Sequence, residues 1–133
     1  MTPDRWTILL VEDEALIRLA VAEDLRGQGF QVIEAKDAAD AITVLNATPI
    51  SLLFTDVQMT GPTDGLALAA WAKDKRPEVL LAITSGDPIS LSRSREQFPT
   101  ALILPKPVDG AVAAAQFRRH LRQPPSRGQN GAA

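Results

Sequence analysis

The sequence contains no cysteine and no tyrosine, and its aromatic residues are four phenylalanines and two tryptophans. Without cysteine, the chain can form no disulfide bond, thiol nucleophile or cysteine-ligated zinc site. Its longest apolar runs fall far short of the roughly 20 residues that a membrane-spanning helix requires. The polar residues 1–5 do not resemble a signal peptide. These absences favour a cytoplasmic protein that does not act at a membrane.

The charges are nearly balanced, with 14 basic and 16 acidic residues and a formal net charge of -2. This balance gives no electrostatic reason to expect nucleic acid as a partner. With 133 residues, 45% of them hydrophobic, the chain is large enough for one domain with a substantial core. We expect this domain to span residues 1–122, and the polar, proline- and glycine-containing residues 123–133 to form a disordered tail.

Five apolar segments alternate along the chain with five segments of helical character. The predicted strands are residues 6–11, 30–35, 50–56, 79–84 and 101–104, and the predicted helices are residues 15–26, 38–46, 65–75, 89–97 and 109–122. This order is typical of an α/β three-layer sandwich, in which a parallel sheet lies between two layers of helices. In the first helix, Ile17, Ala20, Val21 and Leu25 are expected to share the buried face.

Polar residues follow four of the predicted strands. Glu12 and Asp13 follow the first strand, Asp56 ends the third, Ser85 follows the fourth and Lys106 follows the fifth. Each has an ordinary explanation when taken alone, such as a turn residue or a solvated lysine. Because parallel strands bring their carboxyl ends to one edge of the sheet, we expect all five side chains to lie together.

Three carboxylates at one edge would repel one another and raise each other's pKa values. A magnesium ion would relieve this repulsion while leaving coordination positions for water and phosphate oxygens. Lys106 could then meet a phosphate group, and the Ser85 hydroxyl could donate to a phosphoryl oxygen. Together these groups describe a phosphoryl-transfer site with a carboxylate nucleophile.

The chain resembles the receiver domain of bacterial two-component response regulators over roughly residues 6–121. The matching motifs are ILLVEDE at 8–14, LLFTDVQM at 52–59, the pair Asp64-Gly65, ITSG at 83–86 and LPKP at 104–107. The resemblance implies a flavodoxin-like fold with five helices and a five-stranded parallel sheet of order 2-1-3-4-5.

The same resemblance implies a role for each matching residue. Asp56 would be the phosphoacceptor, and Mg²⁺ would be held by Glu12, Asp13, Asp56 and the backbone carbonyl of Gln58. Gln58 also stands, two residues after the acceptor, at a position that would influence the lifetime of the phosphoryl group.

Residues beyond the acceptor complete the implied site. Ser85, rather than the preceding Thr84, would supply the switch hydroxyl, and Lys106 would pair with the phosphate. The Lys106–Pro107 bond would be cis, and Asp87 is a second candidate for tuning the phosphoryl lifetime.

Two positions depart from the family pattern. Thr60 stands where a proline is usual, which predicts altered loop geometry with the chemistry intact. Ile103 stands three residues before the lysine, where a tyrosine or phenylalanine usually turns inward on activation. We therefore expect the signal to pass through residues 85–92 or the fourth helix.

The implied function is that of a single-domain response regulator rather than an enzyme. It would accept a phosphoryl group on Asp56 from a histidine kinase or a histidine phosphotransfer protein, promoting its own phosphorylation and slow dephosphorylation. It would then signal through protein contacts, with a possible homodimer through the fourth helix, fifth strand and fifth helix, or act as a phosphate shuttle or sink.

Three alternatives stay open on the sequence. A flavodoxin-like cofactor binder would need a phosphate-cradling loop after the first strand, where this chain has the acids at 12–14. A small phosphohydrolase would place its nucleophilic aspartate in a paired motif after that strand. An interaction module that works without phosphorylation is the third alternative, and the complete set of acids, hydroxyl and lysine argues against it. The single histidine, His120, is expected to be an ordinary surface residue.

Overall fold

The structure is a computed structural model, and it describes residues 5–123. Its strands are β1 (Thr7–Val11), β2 (Gln31–Ala35), β3 (Leu52–Asp56), β4 (Leu80–Ser85) and β5 (Leu102–Pro105). Its helices are α1 (Ala15–Gly27), α2 (Ala38–Ala47), α3 (Gly65–Lys75), α4 (Pro88–Gln97) and α5 (Gly110–Arg122). No helix among residues 5–123 is long and apolar enough to cross a membrane. The predicted disorder of the tail concerns residues that, apart from Gln123, lie outside this range.

The five strands form one parallel sheet of order β2-β1-β3-β4-β5. The register pairs Val11 with Thr55, and Asp56 with Thr84. The carboxyl ends of β1, β3 and β4 therefore reach the same edge of the sheet. Both the α/β architecture and the strand order predicted from the sequence are confirmed.

The central strand β3 is buried along its whole length, as its uninterrupted apolar sequence predicts for a strand covered on both faces. On one face, Phe54 meets Phe117 of α5, with ring centroids 5.0 Å apart and the rings edge-on at 76°. On the other face, Leu53 packs in a cluster with Leu45 of α2 and Leu68 of α3. Full burial of each such side chain contributes about 1.5–3 kcal/mol, so the strand that carries Asp56 is held firmly from both sides.

Aspartates cap four of the five helices and fix where these helices begin. Each carboxylate accepts backbone N–H groups of the first turn, at Asp37 for α2, Asp64 for α3, Asp87 for α4 and Asp109 for α5. The predicted start of α4 at Ile89 is one residue late. Pro88 occupies the first helical position, where a missing N–H costs nothing.

The predicted buried face of α1 is confirmed for Leu25 and for Val21, which is half-buried against the core, but not for Ile17 and Ala20. Leu25 is buried, but Ile17 is 39% exposed, Ala20 is also exposed, and Ala22 is buried instead. Ile17 and Ala20 instead line an open groove beside the helix. Two ion pairs also join α1 to the neighbouring strand. Arg18 and Arg26 each reach Glu34 of β2, with N–O distances of 3.2 Å.

Candidate functional site

Three acidic side chains meet at the carboxyl edge of the sheet. Glu12 and Asp13 directly follow β1, and Asp56 is the last residue of β3. One carboxylate oxygen from each lies within 4.8 Å of the other two. Glu12 and Asp56 are only 4% and 5% exposed, and Asp13 is half-buried. The fold therefore brings together the three acids that the sequence singled out.

Lys106 partly compensates this negative charge. It follows β5, and its Nζ lies 2.8 Å from Asp56 Oδ2 and 3.0 Å from Glu12 Oε1. The Lys106–Pro107 bond is cis, as expected. One ammonium group thus bridges the two most buried carboxylates of the cluster.

Burial and charge pairing act together on the protonation of this cluster. Burial raises the pKa of Glu12 above its ordinary value, and the nearby charge of Asp56 adds to this, while hydrogen bonds from the Glu14 backbone and from Lys106 oppose it. For Lys106, burial disfavours the charged form, but hydrogen bonds and charge from Asp56 and Glu12 outweigh it and raise the pKa of Lys106. At neutral pH, Lys106 is therefore a fixed positive charge beside Asp56.

The loop after β3 closes over the acids. The Thr60 backbone N–H donates to Asp13 Oδ2 at 3.0 Å, and the next residue, Gly61, has φ +97°. Gly65 begins α3 so close to β3 that a Cβ there would overlap the Asp56 carbonyl. The loop departs from the family pattern at Thr60, yet this residue contacts the acidic cluster directly.

Ser85, and not Thr84, hydrogen bonds with a side chain of the site. Its hydroxyl donates to Gln58 Oε1 at 2.7 Å, and the Gln58 backbone N–H lies 3.3 Å from Asp56 Oδ1. Thr84 Oγ1 is buried and has no hydrogen-bond partner among residues 5–123. The part that the Gln58 carbonyl would play in holding a metal stays a prediction.

Sequence reasoning missed Ser90 and the capping role of Asp87, whose part in tuning the phosphoryl lifetime stays a prediction. Ser90 Oγ accepts from Gln58 Nε2 at 2.8 Å and donates to Asp87 Oδ2 at 2.8 Å. The Asp87 carboxylate caps α4 rather than contacting Asp56. The pair Asp87-Pro88, an N-cap residue before a proline, is the sequence signal from which this cap could have been predicted.

Neither Ile103 nor His120 belongs to the acidic cluster. Ile103 is half-buried against the cluster that contains Ile83 and Phe98. His120 shares a small cavity with Val79 and Leu80, at the opposite end of β4 from the acids. His120 is half-buried, not a surface residue, and its Nε2 is buried without a partner among the described residues.

The donor set at the acidic cluster fits a hard divalent cation. Carboxylate oxygens from three side chains converge, and the cluster contains no sulfur or imidazole donor. Mg²⁺ prefers carboxylate oxygens and keeps water and phosphate oxygens in its remaining positions. Glu12, Asp13 and Asp56 are therefore the residues that would hold it.

The comparisons with known proteins agree with this geometry. Residues 8–120 match the family model described as the response regulator receiver domain. The transcriptional regulatory protein PdtaR of Mycobacterium tuberculosis is 34% identical over 79 residues, which cover 59% of this chain and 38% of that protein. The chain spans between 17% and 38% of the curated relatives compared.

Solved structures show the same fold. A response regulator receiver protein from Sinorhizobium medicae is 28% identical with a TM-score of 0.80, covering 90% of this chain and 97% of that one. A CheY-like receiver domain from Methanospirillum hungatei is 19% identical with a TM-score of 0.82, covering 90% and 96%. The match over residues 8–120 establishes that this chain belongs to the response regulator receiver domain family.

Proposed function

We propose that this receiver domain accepts a phosphoryl group on Asp56 from a phosphohistidine donor and signals through the change that follows. The observation that carries the proposal is the position of Asp56. This residue lies buried at the end of β3. Its carboxylate accepts a hydrogen bond from Lys106 Nζ at 2.8 Å and lies within 4.8 Å of two further carboxylates. A carboxylate so placed is a nucleophile surrounded by groups that suit a phosphate.

The chemical step is a displacement at phosphorus. An Asp56 carboxylate oxygen forms the new P–O bond while the P–N bond to the donor histidine breaks, and the electron pair stays on the imidazole nitrogen. Lys106 would pair with a phosphoryl oxygen, and Ser85 would donate a hydrogen bond to another. Bound between Glu12, Asp13 and Asp56, Mg²⁺ would neutralise the charge that gathers on these oxygens.

An apolar surface beside the site supports docking of a protein donor. Leu16 is 83% exposed and Leu19 is 49% exposed on α1. A groove of about 460 Å³ separates this helix from the loop after β5, and it is lined by Ile17 of α1, by Val108 and by Lys106 itself. Because the groove is continuous with the phosphoacceptor site, a donor seated on α1 would hold its histidine near Asp56. We therefore assign this face to the histidine kinase or histidine phosphotransfer protein.

The output is proposed to be a protein contact on the face formed by α4, β5 and α5. Ile89 of α4 is 70% exposed, and the proposed occupant of this face is a downstream protein or a second copy of the chain. A role as phosphate shuttle or sink, a cytoplasmic location and the single-domain organisation stay predictions from the sequence.

Intact-mass measurement tests the phosphoacceptor role. The protein is incubated with acetyl phosphate, with Mg²⁺ and with EDTA, beside Asp56→Asn. We expect a Mg²⁺-dependent adduct of one phosphoryl group in the wild type and none in Asp56→Asn. An adduct of equal yield in Asp56→Asn would overturn the assignment.

A second variant tests the docking face separately. Leu19→Glu should slow phosphoryl transfer from a phosphohistidine protein while leaving phosphorylation by acetyl phosphate unchanged, because a small donor needs no docking surface. Val112→Glu, an equally exposed substitution on α5, is the control. Equal transfer to both variants would contradict docking on α1.

A further inference from the structure

A ring of hydrogen bonds joins the end of β4 to the first turn of α4. The Ser85 hydroxyl donates to Gln58 Oε1 at 2.7 Å, and Gln58 Nε2 donates to Ser90 Oγ at 2.8 Å. The Ser90 hydroxyl donates to Asp87 Oδ2 at 2.8 Å, and the Asp87 backbone N–H donates to Ser85 Oγ at 2.9 Å. All four links run in one direction, so each strengthens the next.

The two serines of the ring are buried, but the residue that joins them is not. Ser85 is 0% exposed and Ser90 is 7% exposed, whereas Gln58 is exposed. The Gln58 side chain can therefore leave the ring without opening the core. Asp87 is bound more firmly, since its carboxylate also accepts the N–H groups of Ile89 and Ser90.

We infer that Gln58 is a positioning residue that couples the Ser85 hydroxyl to α4, and that phosphorylation of Asp56 releases α4 from this coupling. This inference rests on the proposed function. A serine hydroxyl carries one proton, so Ser85 cannot donate to Gln58 and to a phosphoryl oxygen at the same time. The charged phosphoryl oxygen is the stronger acceptor, and Ser85 turns to it. Gln58 then loses its bond to Ser85, and its remaining bond to Ser90 no longer connects α4 with the Ser85 hydroxyl.

α4 is suited to respond to this release. Its buried residues are Ser90, Leu91 and Ser94, so a single sizeable apolar side chain anchors it. A helix with so few apolar contacts opens at low free energy. The Gln58 bridge thus gives the chain a polar connection from the site to α4. We propose that it takes over the signalling role of the aromatic residue in the family pattern, because this chain has Ile103 at that position.

Amide hydrogen exchange on the unphosphorylated protein tests the coupling directly. Ser85→Ala, Ser90→Ala and Gln58→Met should each speed exchange at residues 89–91 by roughly 2- to 10-fold, the factor that one net hydrogen bond contributes. The double variant Ser85→Ala/Ser90→Ala should exchange no faster than the faster single variant, because both break the same ring. Ser94→Ala is the control, since this buried hydroxyl donates only to the Ser90 carbonyl within α4, and it should not speed exchange there.

Wild-type exchange at residues 89–91 in Ser85→Ala, or effects that multiply in the double variant, would overturn the inference. A phosphorylated arm, with acetyl phosphate and Mg²⁺, separates it from the proposed function. Phosphorylation should speed exchange at residues 89–91 in the wild type and add nothing in Ser90→Ala. An adduct by mass without that change refutes the release while the phosphoacceptor role stands. Failure to form any adduct refutes the phosphoacceptor role and the release, and the coupling is then judged by the unphosphorylated variants alone.

Discussion

Lys106→Met removes the ammonium group that bridges Glu12 and Asp56 and keeps an unbranched side chain of similar length. The two carboxylate side chains are 5% and 6% exposed, and the lysine side chain is 24% exposed. Removing one partner of a buried ion pair costs about 3–5 kcal/mol. Because the lysine is partly exposed, we expect the lower end, about 3 kcal/mol of unfolding free energy.

Urea unfolding in EDTA, followed by tryptophan fluorescence, measures this cost. With a slope of about 2 kcal/mol per molar urea, the midpoint should fall by about 1.5 M. Mg²⁺ should then restore much of the loss, because a ligand at 100 times its dissociation constant stabilises by about 2.7 kcal/mol. It should stabilise the variant more than the wild type, since no ammonium group opposes the cation there.

Lys36→Met is the matched control. Lys36 also forms an ion pair, with Asp40 at 2.8 Å, but both side chains are exposed, and exposed pairs contribute little. This variant should unfold at the wild-type midpoint in EDTA and respond to Mg²⁺ as the wild type does. The reasoning fails if Lys106→Met costs less than about 0.5 kcal/mol, the range of ordinary surface substitutions, or if Mg²⁺ stabilises both variants equally.

Two further predictions concern Gly65 and His120. Gly65→Ala should lower the unfolding free energy by about 1–3 kcal/mol, as overpacking does. It should also reduce phosphorylation by acetyl phosphate, because the new Cβ displaces Asp56. Gly27→Ala is the control and should have neither effect, since a Cβ at Gly27 meets nothing within 4 Å. Burial lowers the pKa of His120 below its ordinary value of 6.5. As the pH falls through 6.5, the imidazole is therefore protonated in the unfolded chain before it is protonated in the folded one, and the folded state loses stability. His120→Gln should therefore lose less stability than the wild type between pH 7.5 and 5.5 in urea unfolding, and equal losses would contradict this.

The sheet and the acidic edge could be predicted from sequence because each depends on local patterns. The apolar run that ends at Asp56 has the length and composition of a buried central strand, and parallel connections then bring Glu12, Asp13 and Lys106 to the same edge. The exposure of Ile17 and Ala20 on α1 could not be predicted, since this helix carries apolar residues around most of its circumference. Ile17 and Ala20 line a groove between α1 and the loop after β5, and such a groove depends on tertiary packing that a helical pattern does not show.

The Gln58–Ser90 contact lay beyond sequence reasoning for a different reason. These residues are 32 positions apart and belong to a loop and a helix. Their contact depends on side-chain rotamers and on how far α4 lies from the loop after β3, neither of which a sequence pattern encodes. By contrast, both the start of α4 and its cap could have been predicted from the aspartate before Pro88.

Chemical mapping of the phosphorylated residue tests the central claim most directly. Borohydride reduces an aspartyl phosphate to homoserine, which replaces one oxygen of the original aspartate by two hydrogens and releases the phosphate. After treatment with acetyl phosphate and Mg²⁺, followed by borohydride and proteolysis, we expect this mass change in the peptide containing Asp56 and at that residue alone. The same change at Glu12 or Asp13, or none at Asp56 in protein that carries the phosphoryl adduct, would contradict the account.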